Sequence, residues 1–196
     1  MKSVYRGSAK KLGEIVKQEN AHAVLLFTGK ASFKSVRPVI DEGLIGCQWI
    51  TYNDFSVNPK KEDLERAIER LGDTKPDLLV AVGGGSVIDF AKAYRVHTKC
   101  NCKLVAVPTT FGSGSEVTQF AVLYVEGKKT SLDDPAIKPE YALVDSSFAM
   151  SQSPYLKACT GLVVRSVSKI HLSAKVATPD LHSPPICPYR RKRGIS

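Results

Sequence analysis

Residues 78–93, "LLVAVGGGSVIDFAKA", join an apolar run to three glycines and then to a helix-like stretch opened by Ser86. Residues without a Cβ let a backbone approach a ligand closely and adopt conformations barred to other residues. A helix that starts there offers free N–H groups and a partial positive charge, which suits an anion, typically a diphosphate. The pattern is neither G-x-G-x-x-G nor a Walker loop, because Lys92 comes too late. A plain strand-to-helix turn would use the same glycines. A second stretch, "VAVPTTFGSGSEVT" (105–118), also follows an apolar run and sets hydroxyls at 109, 110, 113, 115 and 118 around two glycines. Hydroxyls and exposed N–H groups converging at strand ends suit a ribose and a diphosphate.

These loops need a scaffold, and the pattern around them supplies one. "AVLLF" (23–27), "CQWITY" (47–52), "DLLVAV" (77–82), "KLVAV" (103–107) and "YALVD" (141–145) are short apolar runs of the kind covered on both faces. Between them, "SAKKLGEIVKQEN", "KKEDLERAIERL" (60–71, with Leu64, Ile68 and Leu71 inward) and the segment from Ser86 to about Val96 carry helical spacing. Strands alternating with helices predict an α/β fold with a doubly wound, mainly parallel sheet. "AVLYVEGKKTSL" (121–132) differs: Glu126-Gly127 between two extended runs predicts a β-hairpin.

A chain of 196 residues with 43% hydrophobic residues is large enough to bury a core. Its net charge of +9 is uneven. Residues 1–162 hold 21 Lys and Arg against 18 Asp and Glu, whereas residues 163–196 hold seven basic residues and only Asp180. The excess belongs to the last segment, so no nucleic-acid partner is expected. Five cysteines (Cys47, Cys100, Cys102, Cys159 and Cys187) show no disulfide framework, and Cys100-Asn-Cys102 reads as two ordinary thiols rather than half a metal site. Lys10, Lys11 and Glu14 interrupt any signal-peptide core, and no apolar run approaches the roughly 20 residues of a membrane span. The expectation is a reduced, cytoplasmic protein without a membrane partner.

Four motifs, "GGGSVIDFAKA", "VPTTFGSGSEVT", "KTSLDDP" from Lys129 to Pro135 and "PEYALVD", resemble in type and order the iron-dependent (group III) alcohol dehydrogenases. The resemblance covers about residues 1–162. It implies a dehydroquinate-synthase-like fold, with an N-terminal dinucleotide-binding α/β domain and a C-terminal helical domain. By the same resemblance Gly84, Gly85 and Ser86 hold the cofactor diphosphate, and Asn58 of "VNP" borders its adenosine side. Thr109, Thr110 and Ser113 line the diphosphate and nicotinamide ribose, and Lys129 on the hairpin reaches the cofactor. Asp89 either faces the cleft or serves as a carboxylate near a helix N-terminus.

Two departures from the family pattern follow. NAD-preferring members carry an aspartate after the second strand, and "LLFTGKASFKS" has Gly29 there, with Lys30, Ser32 and Lys34 nearby. Glycine removes a carboxylate that would repel a 2′-phosphate, and the lysines would attract one, so the reading leans to NADP over NAD. Solvated surface lysines are the other reading. In the family, "TGL" is followed by an aspartate and then a histidine that bind Fe2+ or Zn2+, whereas here Val163 and Val164 follow Leu162. Residues 163–196 therefore read as an aberrant, disordered basic tail in place of the helical metal-binding domain, the pattern that a reading-frame change near codon 163 would leave.

The expected function is the NAD(P)-binding portion of an aldehyde reductase or alcohol dehydrogenase, closest in flavour to phosphonoacetaldehyde reductase-like members. Such a portion would be inactive alone and open to self-association through uncovered apolar surface. A non-catalytic nucleotide-binding module, and an interaction protein that uses the basic cluster 189–193, are the alternatives.

Overall fold

The structure is a computed structural model, and it describes residues 3–161 apart from 7, 8, 111, 151, 153 and 156. Among these, six strands form one wholly parallel sheet: β1 (Ser3–Arg6), β2 (Ala23–Thr28), β3 (Gln48–Tyr52), β4 (Leu78–Gly83), β5 (Lys103–Pro108) and β8 (Tyr141–Val144). Their spatial order is β1-β8-β5-β4-β2-β3. A separate antiparallel pair, β6 (Phe120–Val125) and β7 (Lys128–Asp133), is the predicted hairpin, and its turn residues Glu126 and Gly127 both have positive φ. Left-handed geometry at both central positions matches the twist of the strands it joins.

Four helices cover the sheet: α1 (Leu12–Gln18) and α2 (Phe33–Gly43) on one face, α3 (Lys61–Leu71) and α4 (Gly85–His97) on the other. The period of two in a strand sorts the core. Val24, Leu26, Leu78, Val80, Val82, Val105 and Val107 meet α1 and α2. Leu25, Phe27, Leu79, Ala81, Leu104 and Ala106 meet α3 and α4. Strands buried on both faces are the reason the sequence shows unbroken apolar runs there instead of alternation. A short α5 (Ser147–Met150) is capped by Asp145, whose carboxylate accepts the Ser147 N–H at 2.9 Å.

The chain leaves β2 toward the β3 edge and leaves β4 toward β5, so the winding reverses between the carboxyl ends of β2 and β4. That reversal opens a crevice in a doubly wound sheet. Gly29 closes its floor, donating its N–H to the Val82 carbonyl at 3.2 Å.

One expectation about the cysteines is corrected: Cys100 and Cys102 are joined by a disulfide and are not two ordinary thiols. After α4 the chain turns at Lys99, where φ is 51°, and the Cys100 N–H returns to the Arg95 carbonyl at 3.0 Å. This brings the two Cα atoms to 5.3 Å, within the span of a bridge. No helix of the described residues is long and apolar enough to cross a membrane. The expected tail, 163–196, lies outside the described residues, as does Leu162.

Candidate cofactor site

A cavity of about 330 Å³ lies beyond the carboxyl ends of the sheet, lined by Asn58, Pro59, Gly85, Ser86, Asp89, Ser113, Ser115, Val122, Tyr124 and Lys129. Five residues expected from the sequence therefore converge there: Asn58, Gly85, Ser86, Ser113 and Lys129. Each comes from a different piece of chain, except the neighbours Gly85 and Ser86.

The helix start is built from the glycines. Gly84 is the N-cap of α4, and its carbonyl accepts the N–H groups of Val87 and Ile88 at 3.0 and 3.2 Å. The N–H groups of the first turn ahead of them have no intrahelical acceptor and face outward with the helix dipole. None of the three glycines has positive φ; Gly84 sits at φ −75°, ψ −177°, ordinary extended backbone. Their need is for space, which corrects the idea of a conformation barred to other residues. A Cβ on Gly83 would lie 2.4 Å from Val87, one on Gly84 2.9 Å from the Thr110 hydroxyl, and one on Gly85 3.0 Å from Ser113.

The hydroxyl loop thus packs directly on the glycine turn. The Thr109 N–H donates to the Gly83 carbonyl at 2.9 Å, and the Gln152 side chain donates to the Thr109 carbonyl at 2.5 Å. Thr109 and Thr110 adjoin the cavity through these contacts without lining it, and so does Gly84. Gly29 stands across the end of β4, outside the cavity, with exposed Lys30 and Lys34 beside it.

The loop that carries Asn58 is held from three sides. Phe55 stacks on Phe90 of α4 with centroids 4.2 Å apart. The Tyr124 N–H donates to the Pro59 carbonyl at 2.9 Å. Asp63, buried in the first turn of α3, accepts the N–H groups of Lys60 at 3.0 Å and Ser56 at 3.2 Å as well as the Ser56 hydroxyl. Burial alone would raise the Asp63 pKa, but the Ser56 hydroxyl, the two backbone N–H groups and Arg66 together lower it to about 2.

Two polar groups of the cavity wall were less legible in the sequence. Asp89 lies in the second turn of α4, beyond the first turn where the dipole acts most, and it faces the cavity and the hairpin. Its Oδ2 accepts the Val122 N–H at 3.1 Å. Burial raises its pKa, while Lys92, the Val122 N–H, the nearby Ser115 hydroxyl and Lys129 pull the other way. Oδ1 has no partner in hydrogen-bond geometry. Ser115 already stands among the hydroxyls noted in the sequence, and of the two readings of Asp89 the one that faces the cleft matches its place in the cavity wall.

Among the described residues, the buried side-chain polar atoms without a partner are Thr28 Oγ1, Asp89 Oδ1 and Thr109 Oγ1. Thr28 ends β2, Thr109 directly follows β5, and Asp89 lies on α4, the helix between β4 and β5. Buried polar atoms in folded proteins are nearly always satisfied, and of these three Asp89 Oδ1 belongs to a residue that lines the cavity. A larger cavity of about 480 Å³ lies at the opposite, amino end of the sheet beside the disulfide, remote from every expected site residue. Among the described residues no group of three or more His, Cys, Asp or Glu could hold a metal.

Comparison with known proteins agrees with this geometry. The family model for iron-containing alcohol dehydrogenases matches residues 3–146. The NADPH-dependent butanol dehydrogenase of Clostridium saccharobutylicum is 33% identical over 148 residues, covering 65% of this chain and 37% of that protein. Maleylacetate reductase 2 of Cupriavidus pinatubonensis is 32% identical over 157 residues, covering 80% of this chain and 42% of its own. Among solved structures, sulfoacetaldehyde reductase from Bifidobacterium kashiwanohense in complex with NAD+ superposes with TM-score 0.75 at 26% identity, over 83% of this chain and 49% of that one. The chain spans about half or less of the length of these proteins.

Proposed function

This chain belongs to the iron-containing alcohol dehydrogenase family, and on that premise we propose that residues 1–162 form the nicotinamide-dinucleotide-binding domain of an oxidoreductase. The reaction is hydride transfer between NAD(P)H and a small aldehyde or alcohol. The observation that carries this reading is the convergence of Asn58, Gly85, Ser86, Ser113 and Lys129 on one cavity, whose wall also holds Asp89 with its Oδ1 unpartnered.

When bound, the nicotinamide ring supplies the hydride chemistry. The chain supplies binding and orientation. The first-turn N–H groups of α4 and the hydroxyls of Ser86, Ser113 and Ser115 bind the diphosphate, and Lys129 adds a positive charge across the cleft. Asn58 borders the adenosine, on a loop pinned by Phe55, Asp63 and Tyr124. Thr109 and Thr110 face the ribose next to the nicotinamide. Gly29, with Lys30 and Lys34 exposed beside it, leaves room and positive charge for a 2′-phosphate, so NADPH binds at least as well as NADH. Among the described residues no group of three or more His, Cys, Asp or Glu fits a metal ion, so the iron or zinc of the family finds no ligand set there.

For substrate, the reading is a small aldehyde bearing an anionic group, of the phosphonoacetaldehyde kind; the sulfoacetaldehyde reductase among the similar structures supports it. Uncovered apolar side chains near the cleft, Val57 and Phe120 among them, support self-association. Titration of the full chain with NADPH and NADH, followed by nicotinamide fluorescence, tests the binding reading. Submicromolar to micromolar binding with NADPH at least as tight is expected, and no binding of either would overturn it.

A further inference from the structure

Lys92 lies in the third turn of α4 and is fully buried, a rare place for a lysine. Its ammonium donates to the Thr118 carbonyl at 2.9 Å and the Phe120 carbonyl at 2.7 Å. Thr118 ends the hydroxyl loop and Phe120 begins β6, so one side chain grips both where they meet. One turn earlier on the same helix, Asp89 takes the Val122 N–H at 3.1 Å. The opposite charges thus fasten alternate residues of the run from the loop end into β6, the Thr118 and Phe120 carbonyls to the cation and the Val122 amide to the anion.

We propose that Lys92 is a positioning residue that holds the hydroxyl loop and the hairpin on α4, and through them sets the width of the cofactor cleft. Ser113 and Ser115 lie on that loop and Lys129 on that hairpin, while Gly85 and Ser86 head α4 itself. The clamp therefore connects the opposite walls of the cavity. This rests on the binding reading above for its consequence, but not for its geometry.

The charged groups facing the clamp are Asp89 on α4, Glu116 on the hydroxyl loop, and Lys129 on the hairpin, which acts on Asp89. Burial lowers the Lys92 pKa to about 8 against the opposing pull of Asp89 and Glu116. Above that pH the neutral amine grips two carbonyls less firmly and leaves Asp89 without its counter-charge. The effect on folding has the opposite sign. A lysine whose folded pKa is lowered costs stability while it is charged, and the cost is relieved as pH rises from about 8 toward lysine's ordinary 10.5. Loosening of the cleft on alkalinisation, without loss of global stability from this group, separates a positioning role from a merely structural one.

The experiment uses the full 196-residue chain and NADPH at a series of pH values from about 7 to about 9.5, with the protection of the Val122 amide against hydrogen exchange measured in parallel without nucleotide. Expected is a fall in NADPH affinity on the order of tenfold with a midpoint near pH 8, with a parallel fall in Val122 protection. Lys92→Met sits at the low affinity throughout, and Lys92→Arg, which stays charged, keeps much of the high affinity at the alkaline end. Wild-type affinity and protection in Lys92→Met would overturn the proposal. If wild-type chain binds no NADPH at any pH, the cofactor reading fails. The exchange data then decide the clamp alone: protection lost in Lys92→Met supports it, and unchanged protection sinks it. Should Lys92→Met not fold, the wild-type exchange series decides in the same way.

Discussion

Gly84 shows how a single missing atom shapes the cleft. A Cβ there would meet the Thr110 hydroxyl at 2.9 Å, so a branched side chain must push the hydroxyl loop away from α4. Gly84→Val is expected to cost about 10- to 100-fold in NADPH affinity while the circular dichroism spectrum stays native; equal affinity in the folded variant would remove the glycine turn from the site. Gly29 works differently. Its Cβ direction meets the Ser32 hydroxyl at 2.6 Å, a group able to rotate away. Gly29→Asp should therefore fold, and should weaken NADPH about tenfold by setting a carboxylate against the 2′-phosphate, with little change for NADH. A wild-type preference for NADH in competition titrations would end that reading of "FTGKASF". At this scale the sequence displays the glycines and hydroxyls that meet at the cavity, Gly85, Ser86, Ser113 and Ser115, but not why they pack as they do. Spatial neighbours such as Val87 for Gly83, or Thr110 for Gly84, cannot be seen along a chain.

Elements rather than residues set the Asn58 wall of the cavity. The Asn58 loop has no regular structure, yet Phe55, Asp63 and Tyr124 tie it to α4, α3 and β6. Asp63 has its carboxyl pKa lowered to about 2, below the ordinary 3.8 of an aspartate. Its contribution to stability is thus full above the unfolded value and fades as pH falls through the folded one. Asp63→Asn is expected to destabilise the chain by on the order of 2 kcal/mol at neutral pH and by much less near pH 2, measured by urea denaturation; an equal loss at both would show that the charge is not responsible. Legibility differs by element for physical reasons. The buried strands β2, β4 and β5 and the amphipathic α3 are plain in the sequence, because full burial and a helical apolar stripe leave strong patterns. β1 goes unread, since "SVYR" is four residues at the sheet edge. α2 goes unread because Pro38 lies inside it, and its burial rests on Val36, Ile40 and Gly43 alone.

For the molecule as a whole, the cavity and the core are coupled through α4. That helix bears the glycine turn at one end, the Lys92 and Asp89 clamp in its middle, and near its other end Arg95, paired in bidentate fashion with Glu140 at 2.8 and 3.0 Å. Glu140 also accepts the Leu104 N–H at 2.8 Å, fixing the head of β5. A ligand that organises the first turn of α4 therefore stabilises an element running the depth of the sheet. NADPH at about 100 times its dissociation constant is expected to add about 2.7 kcal/mol to the unfolding free energy, seen as a rise in Tm in scanning calorimetry. No rise at saturating nucleotide would mean that the cavity does not take it.

The sheet order also dictates a sequence of assembly. β2, β3, β4 and β5 are near neighbours in the chain and pair with one another. β1, by contrast, pairs only with β8, Ser3 against Tyr141, and β8 is what joins it to β5. β1 must therefore wait, unpaired, until residues near the end of the described fold have emerged. Until then the growing chain carries β5 as a bare sheet edge, the kind of surface that recruits strands from other chains. Closing so distant a contact is slow, because the loop entropy must be lost before any pairing repays it. Placement of β8 is thus the single step that covers the β5 edge and gives β1 its partner.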